Sequence, residues 1–302
     1  MAEDTDFPTL TPEALAPAQL LRSLDLGPRK ALGQNFLASK SALRRILLAL
    51  DLRPGDAVVE VGAGLGTLTG FLAAQAGQVV AVELDDNLAR YLAERFHGVE
   101  TVRVVPGDIL DLTPAELLSD VTQPYKVAGN LPYYITSAAL RHILGWDPAP
   151  QVIVVMVQEE VARRIVARPG ELSLLALMVQ LRAQAEIAAR VPAGAFVPPP
   201  KVDSALLRIV PDPARRPHPA VEKQLFALAR AAFQQKRKTL LNSLAGIVPI
   251  SRQHLAQLLL DLGINPAARA QELTTDQWQA LARATTERHH ALPDEESANA
   301  PA

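Results

Sequence analysis

Apolar residues in this chain come first in short continuous runs and later at helical spacing. The runs AVVEVG (57–62), VVAVEL (79–84), VRVV (102–105), YKVAGN (125–130) and VIVVMVQ (152–158) carry few polar interruptions. A strand that is apolar on both sides must be covered on both faces, which is the mark of a parallel sheet between helix layers. Between these runs, TLTGFLAAQ (67–75) and NLARYLAERF (87–96) have the period of helices. Two later runs, AEIAARV (185–191) and SALLRIV (204–210), are expected to close the sheet as a hairpin. PDPARRPHP (211–219) reads as a linker, because each Pro fixes φ and removes a backbone donor. From 220 to 286 only helical spacing appears, as in VEKQLFALARAAF and HLAQLLLDLG. The pattern predicts an α/β domain over residues 21–211 and a small all-α domain over 212–290. Residues 1–20 and 291–302, rich in Ala, Pro, Glu and Asp, read as disordered acidic tails.

Composition narrows the function classes. About half the residues are apolar (49%) and 21% are charged, an ordinary globular balance. No apolar run approaches the roughly 18 residues of a membrane span, and the acidic N-terminus lacks the basic region of a signal peptide. The chain has no Cys, which excludes disulfides, thiolate catalysis and Cys–zinc sites. Of six His only His289 and His290 are adjacent, so no metal site is expected, and a cytoplasmic location fits.

The net charge of −2 conceals an uneven distribution. Glu3, Asp4, Asp6, Glu13, Asp294, Glu295 and Glu296 all lie in the two tails, where there is no base; without them 25 acids face 30 bases. Residues 201–260 hold ten Lys and Arg against Asp203, Asp212 and Glu222. Within that stretch FQQKRKTLLNSL (233–244) places Lys236, Arg237 and Lys238 in succession. On a helix three consecutive residues span about 200° of the circumference, so they cannot all face one core. A solvated helix face and contact with phosphates are the two readings, and the clustered excess favours a polyanion.

Candidate chemistry sits at the ends of the expected strands. VEVGAGLGTLTG opens a helix after the first run, with Gly62, Gly64 and Gly66 where the backbone can approach a ligand closely and Thr67 where a dinucleotide fingerprint has its third Gly. A structural strand-to-helix turn is the bland alternative. Glu83 ends the second run, where an acid accepts from ribose hydroxyls; NAD and S-adenosylmethionine both present such a ribose, and the missing third Gly leans toward the latter. Asp108 ends the third run, placed to read an adenine amino group, or to cap a helix. Asn130 ends the fourth, in AGNLPYYIT (128–136). The amine of an aromatic base is a poor nucleophile because its lone pair is delocalised. Two acceptors, the Asn130 side-chain oxygen and the Leu131 carbonyl, would hold its N–H groups and favour a tetrahedral nitrogen. Pro132 fixes the backbone between them, and Tyr133 offers a π face to the base.

Taken together these residues resemble the small-subunit (16S-type) ribosomal RNA adenine N6,N6-dimethyltransferase family, the dimethyladenosine transferases. The likeness rests on ALGQNFL (31–37), EVGAGLGTLT (60–69), Glu83, GD (107–108), NLPYYIT (130–136), FVPPPKVDSALLRI (196–209) and FQQKRKTLLNSL. It implies a class I, Rossmann-like methyltransferase domain with a seven-stranded, mostly parallel sheet, S-adenosylmethionine as methyl donor and no metal. The implied substrate is a pair of adjacent adenosines in a hairpin near the 3′ end of small-subunit rRNA, within an immature 30S particle, with no membrane partner and a monomeric enzyme. It further implies that Asn35 and Leu37 lie against the cofactor with Gly62, Gly64, Glu83, Asp108 and Asn130. Asn130, Leu131, Pro132 and Tyr133 would hold the target amine, Phe196 would stack on the extruded base, and Lys236, Arg237 and Lys238 would bind RNA. Glu159 stands where that family usually has Lys, Ala63 where Pro is common, and RPGELSLL lacks its Tyr-Gly. Two other readings remain at this point: a large-subunit rRNA adenine methyltransferase of the antibiotic-resistance type, and a ribosome-assembly factor whose methylation is incidental.

Overall fold

The structure, a computed structural model, describes residues 16–29, 32–118 and 124–291, with only the backbone described over 287–291. Among the described residues nine strands form: β1 (Phe36–Leu37), β2 (Ala57–Val61), β3 (Gln78–Glu83), β4 (Val102–Pro106), β5 (Tyr125–Asn130), β6 (Val152–Gln158), β7 (Ala183–Val191), β8 (Phe196–Val197) and β9 (Ser204–Pro211). Seven of them make one sheet in the order β4-β3-β2-β5-β6-β9-β7. The first five in that order are parallel, and β9 joins antiparallel to both β6 and β7. All five residues of β2 are buried, as the nearly continuous apolar run requires, whereas the edge strand β7 alternates exposed and half-buried positions between buried ends.

The chain runs outward from β2 through β3 to β4, then returns to place β5 on the other side of β2. Ligands of open α/β sheets bind at the carboxyl ends of strands where the order reverses, and here that point is the end of β2 beside β5. Gly129 lets the two strands meet there. It pairs with Val61, and a Cβ on it would sit 2.5 Å from the Val61 carbonyl oxygen. At the opposite end Lys126 of β5 is tied down by Asp56 at 2.7 Å and by the Asp51 carbonyl at 2.5 Å.

Helices cover the sheet, and Thr67–Ala73 and Asp86–Arg95 fall where the spacing predicts them. The segment Lys40–Leu50 starts on Ser39, whose hydroxyl accepts from Ala42 N at 3.3 Å, and buries Leu43, Ile46, Leu47 and Leu50. Asp86–Arg95 starts on Asp85, which accepts from Asn87 N at 3.0 Å. Pro17–Ser23 is helical, with Leu21 packed among Phe36, Leu65 and Leu88, so the disorder expected through residue 20 does not extend over it. Residues 1–15 and 292–302 of the two expected tails lie outside the described residues.

The chain divides into two compact units. One runs through Arg163 and resumes over Ala183–Pro213; the other takes Arg164–Arg182 and the chain from Ala214. The second unit is helical, with Pro219–Gln234, Leu240–Leu244, Arg252–Asp261 and Thr275–Ala291 around Leu225, Leu228, Leu259 and a fully buried Trp278. Residues 164–182, which the sequence reading leaves inside the α/β domain, fall in this unit instead. Leu177 and Leu181 of the Leu174–Gln180 segment and its C-cap share the core of Leu225 and Leu228. A local period shows that such leucines need a core and not which core they join.

Candidate active site

The three glycines after β2 have left-handed backbones, with φ of +73° at Gly62, +59° at Gly64 and +73° at Gly66. Gly64 is the one tied to the end of the neighbouring strand. A Cβ there would come within 3.3 Å of the Phe36 ring, and its N–H donates to Glu83 Oε2 at 2.7 Å. The loop is therefore more than a turn: it aims a backbone N–H at the end of the neighbouring strand.

Glu83 is buried, and its Oε1 accepts from Asp85 N at 2.9 Å. Burial pushes its carboxyl up from the ordinary range, opposed by the backbone N–H groups of Asp85 and Gly64. Leu84, the next residue, leaves 42% of its surface open. Across the pocket, Asp108 uses Oδ1 to cap the turn at Leu110 N, 2.9 Å away. Its Oδ2 has no donor among the described residues. The capping alternative thus holds for one oxygen and leaves the other for a ligand. Leu84 and the buried Ile109, each following its acid, add apolar walls to the same pocket. A carboxylate for hydroxyls, a second acceptor and apolar walls between them fit a ribose joined to a planar base.

Glu60 also lines this pocket, and sequence reading gave it no role. It is 2% exposed and accepts from Thr69 Oγ1 at 2.6 Å. Burial raises its pKa from 4.5 to about 8, against the Thr69 hydrogen bond and with a further push from Glu83. Burial therefore favours the protonated form of Glu60. Because the folded value is the raised one, its contribution to stability is complete below pH 4.5 and is lost as the pH climbs through about 8. In Glu60→Gln that loss should vanish. Denaturant titrations of the cofactor-free protein at pH 5 and pH 8.5 should show a smaller stability difference for the variant than for the parent; equal differences would place the proton elsewhere.

Asn130 reaches this pocket from β5. Its Nδ2 donates to the Asn35 carbonyl at 2.7 Å, which fixes the amide and leaves Oδ1 without a donor among the described residues. Asn35 is itself held, its Nδ2 on the Gly33 carbonyl at 2.9 Å. Leu131 N donates to the Met156 carbonyl at 3.2 Å, and the Pro132 carbonyl accepts from Ile135 N at 3.1 Å. Between them the Leu131 carbonyl has no donor among the described residues. Two free acceptors on adjacent residues suit an amine with two N–H groups. The Tyr133 hydroxyl lies 2.8 Å from Ser204 Oγ, a fully buried group on β9. Burial pushes the Tyr133 phenol up, so it stays neutral.

Asn35, Leu37, Gly62, Gly64, Glu83, Asp108, Asn130, Leu131, Pro132 and Tyr133 all line the one pocket. Two expectations differ from what forms. Phe196 is not among the lining residues: it is 2% exposed, because pairing of β8 with β1 sets it opposite Leu37 and within the core of the α/β unit. Lys236, Arg237 and Lys238 do not lie on a helix. Pro219–Gln234 stops before them, and they occupy an exposed turn of the helical unit, with no ion pair among the described residues. Glu159 accepts from Arg163 at 2.7 Å and Arg190 at 2.8 Å, so the acid is matched locally. Sequence reading also missed Leu84, Ile109 and Ser204. For the first two the signal was present, an apolar residue directly after each strand-end acid. Among the described residues no group of three or more His, Asp or Glu could hold a metal ion, and no helix is long and apolar enough to cross a membrane.

Residues 27–287 match the family model described as ribosomal RNA adenine dimethylase. The chain is 46% identical over 280 residues to the ribosomal RNA small subunit methyltransferase A of Dehalococcoides mccartyi strain 195, covering 92% of this chain and 96% of that protein. It is 41% identical to the protein of the same name from Pelotomaculum thermopropionicum, over 87% of this chain and 93% of that one. Among solved structures, the 23S rRNA methyltransferase ErmE superposes with a TM-score of 0.66 at 29% identity, over 83% of this chain and 99% of that one. A dimethyladenosine transferase from Plasmodium falciparum gives 0.72 at 22% identity, over 84% and 98%, and shares the fold.

Proposed function

The chain belongs to the ribosomal RNA adenine dimethylase family, and from that premise we propose that it transfers methyl groups from S-adenosylmethionine to the N6 amines of two adjacent adenosines near the 3′ end of small-subunit rRNA. The single observation that carries the reading is the pair of free acceptors, Asn130 Oδ1 and the Leu131 carbonyl, in the same pocket as Glu83 and Asp108. When bound, S-adenosylmethionine supplies an electrophilic methyl group. Glu83 would hold its ribose and Asp108 its adenine, with Leu84 and Ile109 as apolar walls, while Asn35, Leu37, Gly62, Gly64 and Asn130 would lie against it. Asn130 and Leu131 accept from the target amine and pull its nitrogen out of conjugation, which the transition state needs more than the ground state does. Tyr133, its hydroxyl tied to Ser204, stacks on the base. The alkylated nitrogen is acidic enough to lose its proton to water, so no side chain of raised basicity is required. A base must leave its stack to be reached this way.

In this reading the α/β unit forms the methyltransferase domain and the helical unit, which takes Arg164–Arg182 and the chain from Ala214, the RNA-binding domain, acting as a cytoplasmic monomer on immature 30S particles. The curated relatives favour the small subunit over the large-subunit reading that the ErmE likeness keeps in view. Incubation with tritiated donor and either immature small subunits or protein-free large-subunit rRNA tests the choice. Label should enter the small-subunit RNA; label confined to large-subunit RNA would overturn it.

Glu83→Ala should weaken donor binding by about 1.5–3 kcal/mol, the scale of a hydrogen bond to a charged group, and slow chemistry far less at saturating donor. Calorimetric titration with S-adenosylmethionine measures this directly. Unchanged affinity would remove Glu83 from the cofactor site.

A further inference from the structure

Tyr134 stands apart from the other tyrosines of this chain. The Tyr125 hydroxyl donates to the Pro148 carbonyl at 2.6 Å, Tyr133 pairs with Ser204 at 2.8 Å, and the Tyr91 hydroxyl accepts from Arg95 at 3.3 Å. Tyr134 has no side-chain hydrogen bond among the described residues and is 59% exposed. It is the one aromatic among the exposed large apolar side chains of the described residues. It also lines the pocket that holds Asn130, Leu131 and Tyr133. Its ring is propped against Gly33, where a Cβ would lie 3.5 Å from Tyr134 Cδ1. A single exposed ring is ordinary by itself, but one that also lines the pocket offers its face to whatever the pocket admits.

Phe196 sharpens the point. The resemblance assigns it to stacking on the extruded base, yet its ring is packed in the core. Tyr133 is held inward through its hydroxyl. The aromatic face left open at the rim is therefore that of Tyr134.

We propose that Tyr134 is a stacking platform for a nucleobase of the RNA strand that carries the target adenosine, one that sits at the rim while the target occupies the pocket. This rests on the RNA-substrate reading above. Recognition is by the π face of the base, which every base has, so the platform tolerates sequence while fixing where the strand lies. The phenol oxygen takes no part.

Tyr134→Phe, Tyr134→Trp and Tyr134→Leu separate ring from hydroxyl and from bulk. Loss of one stacked base weakens single-strand binding by roughly 5- to 150-fold. With immature small subunits as substrate, Tyr134→Leu should raise KM on that scale, while affinity for S-adenosylmethionine stays at the parent's value. The Phe and Trp variants should stay within about twofold of the parent on the same scale. Equal KM for Leu, Phe and parent would overturn the proposal, and so would a Phe variant as weak as Leu, which would implicate the hydroxyl. Fluorescence anisotropy with a labelled single-stranded oligoadenylate gives a readout that does not need methylation. If the parent methylates no small subunit, the substrate reading fails by itself. The platform then stands if Leu binds the oligoadenylate more weakly than Phe, and falls if the two bind alike.

Discussion

Asn130→Ala should fold and bind RNA as the parent does and lose kcat by a factor on the order of 10² to 10³, the scale measured when one preorganised hydrogen-bonding group is removed from a transition-state site. The reason lies in the two ends of the amide. Nδ2 is committed to the Asn35 carbonyl at 2.7 Å, and Oδ1 is the end that faces no donor. Removing it leaves the Leu131 carbonyl to hold the target amine alone. An interaction realised only as the nitrogen becomes tetrahedral appears in kcat and not in KM. Single-turnover rates at saturating substrate check this. A rate within about threefold of the parent would mean that Asn130 does not hold the amine. An effect on KM alone would make it a binding residue only.

The second large effect is expected in the helical unit. Replacing Lys236, Arg237 and Lys238 together with Ala should weaken binding to small-subunit particles. It should also reduce the slope of log affinity against log salt by roughly 0.7–0.9 for each phosphate that is no longer neutralised. All three side chains are exposed, in the turn after Pro219–Gln234, with no ion pair among the described residues. A solvated surface would leave the slope where it was. Binding measured across a series of salt concentrations separates the two. Donor affinity belongs to the other unit and should not move.

Much of this was legible in the sequence because burial on both faces leaves a plain signature. The strands β2, β3, β5 and β6 are read directly from apolar runs with few polar interruptions, and the residues that end two of them, Glu83 and Asn130, mark the carboxyl edge of the sheet. What stayed hidden was set by distant contacts. The strands β1 and β8 are two residues each, too short to carry any period, yet their pairing sets Leu37 opposite Phe196 and sends that ring into the core. The Leu174–Gln180 helix joins a core whose other members lie far along the chain, from Leu225 onward, which spacing alone cannot reveal. For Lys236, Arg237 and Lys238, charge was visible and backbone was not: the apolar spacing of FQQKRKTLLNSL continues through a turn. Glu60 was in plain view beside the glycines, but its raised pKa comes from burial depth, a property of the packed fold. Asn130 shows the same division. Its position follows from the strand end, whereas the end of its amide that remains free follows from Asn35, which lies 95 residues earlier in the chain.

The central claim, that this pocket dimethylates adjacent adenosines of small-subunit rRNA, is tested most directly by the product. Small subunits lacking the modification would be incubated with the protein and isotopically labelled S-adenosylmethionine, and their RNA digested and analysed by mass spectrometry. The account predicts labelled N6,N6-dimethyladenosine, mapped to two neighbouring positions in the 3′-terminal fragment. Absence of dimethyladenosine from that fragment, or label on a base other than adenine, would contradict it.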